Sequence, residues 1–166
     1  GGTVVKFTNS ATAKLNISGP ISCQTGPFRP AVFTSKDDAS IGESIAGSTG
    51  TPTNYSGFGI EITSSGNSLA NLRFSYLQEA LRYDSGGTAG QLDLAHVQFV
   101  KCRFPLKAEQ PACFTSCGAT IELDNALAYG CDVFFQGDYG ILRARHLTVN
   151  SATRWVWMTA TTPVCI

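Results

Sequence analysis

The residues fit for chemistry or for contact fall into a few groups. Asp37, Asp38 and Glu43 form a compact acidic cluster within the run Lys36-Asp37-Asp38-Ala39-Ser40-Ile41-Gly42-Glu43. Hard carboxylate oxygens suit Ca²⁺, and Gly42 would let the backbone turn around an ion, although the spacing is not that of an EF-hand. The alternative is a surface loop whose carboxylates cap its own turns. Tyr76, Tyr83, Tyr129, Trp155 and Trp157 supply flat amphipathic rings of the kind that contact sugars. Trp155 and Trp157 flank Val156, so with Val156 inward both indoles face outward from one strand. They then either meet a partner or pack under a loop or a further coil.

Acid–base work on a glycosidic bond needs two carboxylates about 5 to 9.5 Å apart. The candidates are Glu122 or Asp124 with Asp93, and no acidic ladder continues them. No Ser-His-Asp signature, Gly-rich phosphate loop or His-x-x-x-His motif occurs. Cysteine chemistry reads differently. Cys23, Cys102, Cys113, Cys117, Cys131 and Cys165 are even in number in a chain rich in Ser and Thr, which suits an oxidising compartment. Cys113 and Cys117 are expected to close a local disulfide, since no second pair or His cluster completes a zinc site. Glycosylation-type triplets occur at Asn16-Ile17-Ser18 and Asn54-Tyr55-Ser56. Such triplets arise by chance in Ser/Thr-rich chains and add little; from its cysteine usage the chain is expected outside the cell or at its surface.

Composition bounds the rest. The 166 residues carry 12 Lys plus Arg against 12 Asp plus Glu, a formal net charge of zero. That argues against a nucleic-acid binder working by phosphate neutralisation. Only 14% of residues are charged and 43% are hydrophobic, which excludes a charged helical bundle. No apolar run approaches about 18 residues, so no membrane span is expected. The length suits one domain covering residues 1–166. The chain begins Gly1-Gly2 and reads as a processed product or a segment of a longer chain.

A repeat positions these side chains. Leu69, Leu72, Phe74, Leu77 and Leu81 recur at the same offsets as Leu94, Val97, Phe99, Cys102 and Leu106. Leu123, Ala126, Ala128, Cys131 and Phe135 follow, then Ala144, Leu147, Val149, Ala152 and Val156. The units start 25, 29 and 21 residues apart, a fixed kernel with a variable loop. Residues two apart share one face of a strand. Between the strand arms lies a polar column, Asn71, His96, Asn125 and His146. Asn and His tolerate positive φ, so a sharp bend in every unit explains the column, and the histidines are bend residues rather than catalysts. Cys102 and Cys131 fall in one inward column of adjacent units and read as stacked, buried thiols.

Short strands and a fixed bend in each unit describe a parallel β-solenoid. The kernels resemble coils of right-handed parallel β-helix, pectate-lyase-like repeat proteins over residues 57 to 162. The first third matches more loosely, at Val5/Phe7, Leu15/Ile17, Ile21/Cys23 and Ala31/Phe33. The expected fold is all-β, a single-stranded solenoid of about seven coils with a long loop inserted near residues 36–56. The resemblance implies enzymes that pair a calcium-binding acidic patch with a base in an open groove. Here the acidic partners do not fall together, so no catalytic residue is assigned. The expected function is a non-catalytic structural or binding module that takes a polysaccharide or protein partner at the cell surface. The alternatives are a polysaccharide lyase or glycoside hydrolase fragment, and a filament subunit stacking end to end through open solenoid ends. Trp155, Trp157 and Tyr129 are the expected binding residues, and Asp37, Asp38 and Glu43 the expected Ca²⁺ ligands.

Overall fold

A computed structural model describes residues 2–52, 55–110 and 118–158. The described residues form strands and no helix. In chain order the strands are β1 (Val4–Phe7), β2 (Leu15–Ile17), β3 (Ala31–Ser35), β4 (Ser56–Ile62), β5 (Asn67–Ser75) and β6 (Leu77–Asp84). They continue as β7 (Gly90–Val100), β8 (Phe104–Glu109), β9 (Ala119–Tyr129), β10 (Val133–Asp138), β11 (Gly140–Asn150) and β12 (Arg154–Met158). Odd strands stack as one six-stranded sheet, β1-β3-β5-β7-β9-β11, and even strands as a second, β2-β4-β6-β8-β10-β12. Every pairing is parallel, so each odd–even pair is one coil of a parallel β-helix.

Six strands per sheet give six coils, close to the expected seven. Ile21 and Cys23, one of the expected early strand pairs, form no strand. That segment instead runs beside β5 through side chains: the Ile21 N–H donates to Asn67 Oδ1 at 2.7 Å, and Cys23 Sγ approaches the Ala70 carbonyl at 3.5 Å. The other three early pairs lie in β1, β2 and β3.

The repeat columns are the core. Leu72, Phe74, Val97, Phe99 and Leu123 are buried, and Val149 and Val156 pack half-buried against the same cluster. Phe33, Phe74 and Phe99 stack coil on coil, with centroids 5.0 and 5.4 Å apart and planes 18° and 14° from parallel. In the next coil Ala126 and Ala128 are small, and Phe134 and Phe135 on β10 are both fully buried in the same core cluster.

Two lines of left-handed residues turn the chain. Asn71, His96, Asn125 and His146 have φ of 53°, 54°, 53° and 52°, as the polar column requires. Asn125 Nδ2 and His96 Nδ1 lie 2.7 Å apart, linking two members of this line across adjacent coils. Five residues further along each coil come Tyr76, Lys101, Gly130 and Ser151, with φ of 58°, 51°, 63° and 60°. This second line ends the odd strand and starts the even one. Between β3 and β4 the turn is replaced by a long loop, of which residues 36–52 and 55 are described.

Candidate functional site

The second bend builds the site. Stacked turns bring Tyr76, Lys101, Gly130 and Ser151 into one line, and Tyr129, the residue before Gly130, is 47% exposed beside it. The long loop returns here and delivers Pro52 and Tyr55. The Tyr55 hydroxyl donates to Asp132 Oδ1 at 2.8 Å, so its ring lies along the solenoid from coil 2 towards coil 5. Burial, then the hydrogen bond to the Asp132 carboxylate, pushes the Tyr55 hydroxyl up to about 12. Together these residues line a cleft of about 440 Å³. That volume falls within the usual range for small-molecule sites, about 300–1,000 Å³. The Lys101 ammonium is held 5.8 Å from the Tyr76 ring centroid, over its face.

The edge continues onto the even-strand sheet. The Arg103 guanidinium carbon lies 5.2 Å from the Phe104 centroid, and that of Arg154 lies 5.8 Å from the Trp157 ring. Phe104 and Trp157 are themselves 6.1 Å apart and tilted by 39°. Trp155 and Trp157 are 59% and 40% exposed, on either side of the inward-facing Val156. The structure thus places Tyr129 in the cleft and the two tryptophans on β12. Tyr83 differs from expectation. It belongs to an inward column with Ile62 and Ala108 and is fully buried.

The acidic loop is built from its own hydrogen bonds. Asp38 is buried; its Oδ2 accepts from Thr34 Oγ1 at 2.8 Å, and its Oδ1 from the Ser40 N–H at 3.0 Å and the Ser40 hydroxyl at 2.5 Å. Burial opposes ionisation there, but these hydrogen bonds outweigh it and hold the carboxyl below the usual range. Asp37 Oδ1 accepts from the Thr49 N–H at 2.9 Å, and Lys6 Nζ donates to the Asp38 and Glu43 carbonyls at 2.7 Å each. Among the described residues no group of three His, Cys, Asp or Glu side chains is placed to hold a metal ion. The carboxylates of Asp37 and Asp38 staple the loop to itself and to β3.

Asp93 and Glu122 are register partners on the odd-strand sheet. Arg143 binds Glu122 at 2.9 Å and Gln91 donates to Asp93 at 2.7 Å. His146 hydrogen-bonds Asp124 at 3.1 Å and, chiefly through that bond, lowers the Asp124 pKa. A general acid needs the opposite shift. Cys102 and Cys131 are free, buried thiols, and burial pushes both up, away from reactivity. Cys113, Cys117 and Cys165 lie outside the described residues.

Sequence reasoning missed the cleft because its defining line, Tyr76, Lys101, Gly130 and Ser151, shares no residue type. Gly130 alone signals positive φ. Comparison of the chain with family models, with curated proteins and with solved structures finds no match. The structure shows a parallel β-solenoid, and no comparison ties it to pectate-lyase-like proteins.

Proposed function

We propose that the protein is a non-catalytic binding module of a secreted or cell-surface assembly, taking a glycan along its second bend. The observation that carries this reading is the convergence of three tyrosines from different coils, Tyr55, Tyr76 and Tyr129, with Lys101 on one cleft. Tyrosine rings offer apolar faces to sugar C–H groups, while phenol and ammonium donate to hydroxyls. Stacked coils hold these groups in place beforehand, so little ordering entropy opposes binding. Glycan-array binding with a parallel reducing-sugar assay tests the reading. Tyr129→Ala is expected to abolish glycan retention at an unchanged melting temperature, with no sugar released. Polysaccharide turnover by the wild type, or retention unaffected by Tyr129→Ala, would overturn it.

A second reading, end-to-end self-association, draws on the first coil. Leu15 is 40% exposed, whereas Ile60, Leu81 and Leu106 in the same column are buried. An apolar edge of this kind templates pairing unless it is covered. Sedimentation that shifts with concentration in the wild type and not in Leu15→Lys would support it.

A further inference from the structure

We infer that the first-bend edge captures the free carboxylate terminus of a partner peptide, in a pocket that shares no residue with the tyrosine cleft. The pocket has a volume of about 550 Å³, within the range of ligand sites, and its lining includes Pro27, Pro30, Asn71, Arg73, His96 and Gln98. Arg73 pairs with Gln98 in the β5–β7 register, and Asn71 and His96 are the first-bend residues two positions earlier in each coil. The four polar side chains therefore form one block across two coils, about 4.8 Å apart. Among the described residues no carboxylate lines the pocket, and Arg73 has no acidic partner within salt-bridge reach. Its guanidinium keeps its N–H donors for an incoming anion. Asn125 Nδ2 can only donate, so His96 Nδ1 accepts and the imidazole proton sits on Nε2, a second donor.

Between the two prolines of this pocket stands Phe28, which is 98% exposed. It occupies a tight turn with Pro27, closed by mutual backbone bonds between Gly26 and Arg29 at 3.3 and 2.9 Å. The Pro27 ring fixes its own φ in this turn. The chain is also anchored on both sides. Thr25 Oγ1 donates to the Ala70 carbonyl, and the Pro30 carbonyl packs so closely on Gly2 that a Cβ there would meet it at 1.9 Å. An exposed ring held this firmly loses little freedom when a partner covers it. The ligand class follows from how these groups are placed. An anion belongs beside Arg73 and Gln98, and an apolar side chain beside Phe28 and the proline rings. The Asn71 and Gln98 amides both donate to and accept from a peptide unit. The last residue of a peptide brings a carboxylate, a side chain and an amide together within about 3.3 Å of extended chain. Capture of a chain end by grouped donors is a recurring mode of peptide recognition.

The test is an array of hexapeptides with every residue pair at the last two positions, each sequence made once as free acid and once as C-terminal amide. Free acids with an apolar last residue are expected to be retained, and their amides about tenfold more weakly or not at all. Arg73→Gln should erase the difference between acid and amide. Phe28→Ser should weaken the best free acids about tenfold. Both side chains are exposed, so the melting temperature should not change in either variant. Tyr129→Ala should leave peptide retention unaltered, which separates this pocket from the glycan cleft. Amides retained as well as acids would overturn the terminal-carboxylate assignment, as would retention untouched by Arg73→Gln. N-acetylphenylalanine binding in solution as tightly as the best hexapeptide would make a small carboxylate the ligand and overturn the peptide assignment. Retention of no free acid would overturn the pocket's role altogether.

Discussion

Tyr55 and Asp132 are 77 residues apart in sequence, and the hydroxyl of one donates to the carboxylate of the other at 2.8 Å. This contact fastens the end of the long loop against coil 5 and forms one wall of the cleft. The Tyr55 pKa is raised to about 12, so the folded state favours the protonated phenol. Its stabilising contribution is complete below the unfolded tyrosine pKa of about 10 and is lost as pH rises through the folded value. Ultraviolet titration should show a tyrosine ionising near pH 12 in the wild type and missing from Tyr55→Phe. Tyr55 ionising with the exposed tyrosines would show that the contact does not persist in solution.

Phe99 has Phe74 stacked on one side, 5.4 Å away, and the small Ala128 as its register partner on the other. Phe99→Ala therefore removes a fully buried ring at a place where its register partner in the next coil is only a methyl group. A loss of about 3–5 kcal/mol in denaturant unfolding is expected. Phe33→Ala, at the other end of the stack and nearer the first coil, should cost less.

The first bend depends on φ near 54° at His96, a conformation that glycine adopts freely and a β-branched residue resists. His96→Val should destabilise by about 1–2 kcal/mol. His96→Gly should stay within about 1 kcal/mol of the wild type, because relief of strain offsets the greater freedom of the unfolded chain. Equal losses in the two variants would mean that the contact with Asn125, rather than the dihedral, is what matters at this position.

These two sites also show what was legible in the sequence. The inward columns were readable because burial restricts each position to apolar residues, and the first bend because Asn and His are both tolerant of positive φ. At the second bend, Tyr76, Lys101 and Ser151 occupy left-handed conformations without a residue type that announces them. There the tertiary ladder imposes the backbone on whatever side chain is present, and the side chain is left to serve the surface. The cleft was hidden for the same reason. The outward position of Trp155 and Trp157 was legible from alternation around Val156. The inward turn of Tyr83 follows the same alternation, two residues beyond the inward Leu81, and was masked by a phenol that suits either face.

Asp38 decides whether the acidic loop is a cation site or a staple. Its two oxygens already accept from Thr34 and Ser40, and its pKa is held below the usual carboxylate range. A depressed carboxylate pKa contributes stability that is present above the unfolded value of about 3.9 and is lost as pH falls through the folded value. Melting followed from pH 5 downward should therefore fall more steeply below about pH 4 in the wild type than in Asp38→Asn. At neutral pH Asp38→Asn should cost about 1.5–3 kcal/mol, the range for a hydrogen bond to a charged group. Adding Ca²⁺ should leave the melting temperature of both proteins unchanged, because a metal would have to displace donors already in place. A melting temperature that rises with Ca²⁺ in the wild type and not in Asp38→Asn would show that the loop rearranges to take the ion.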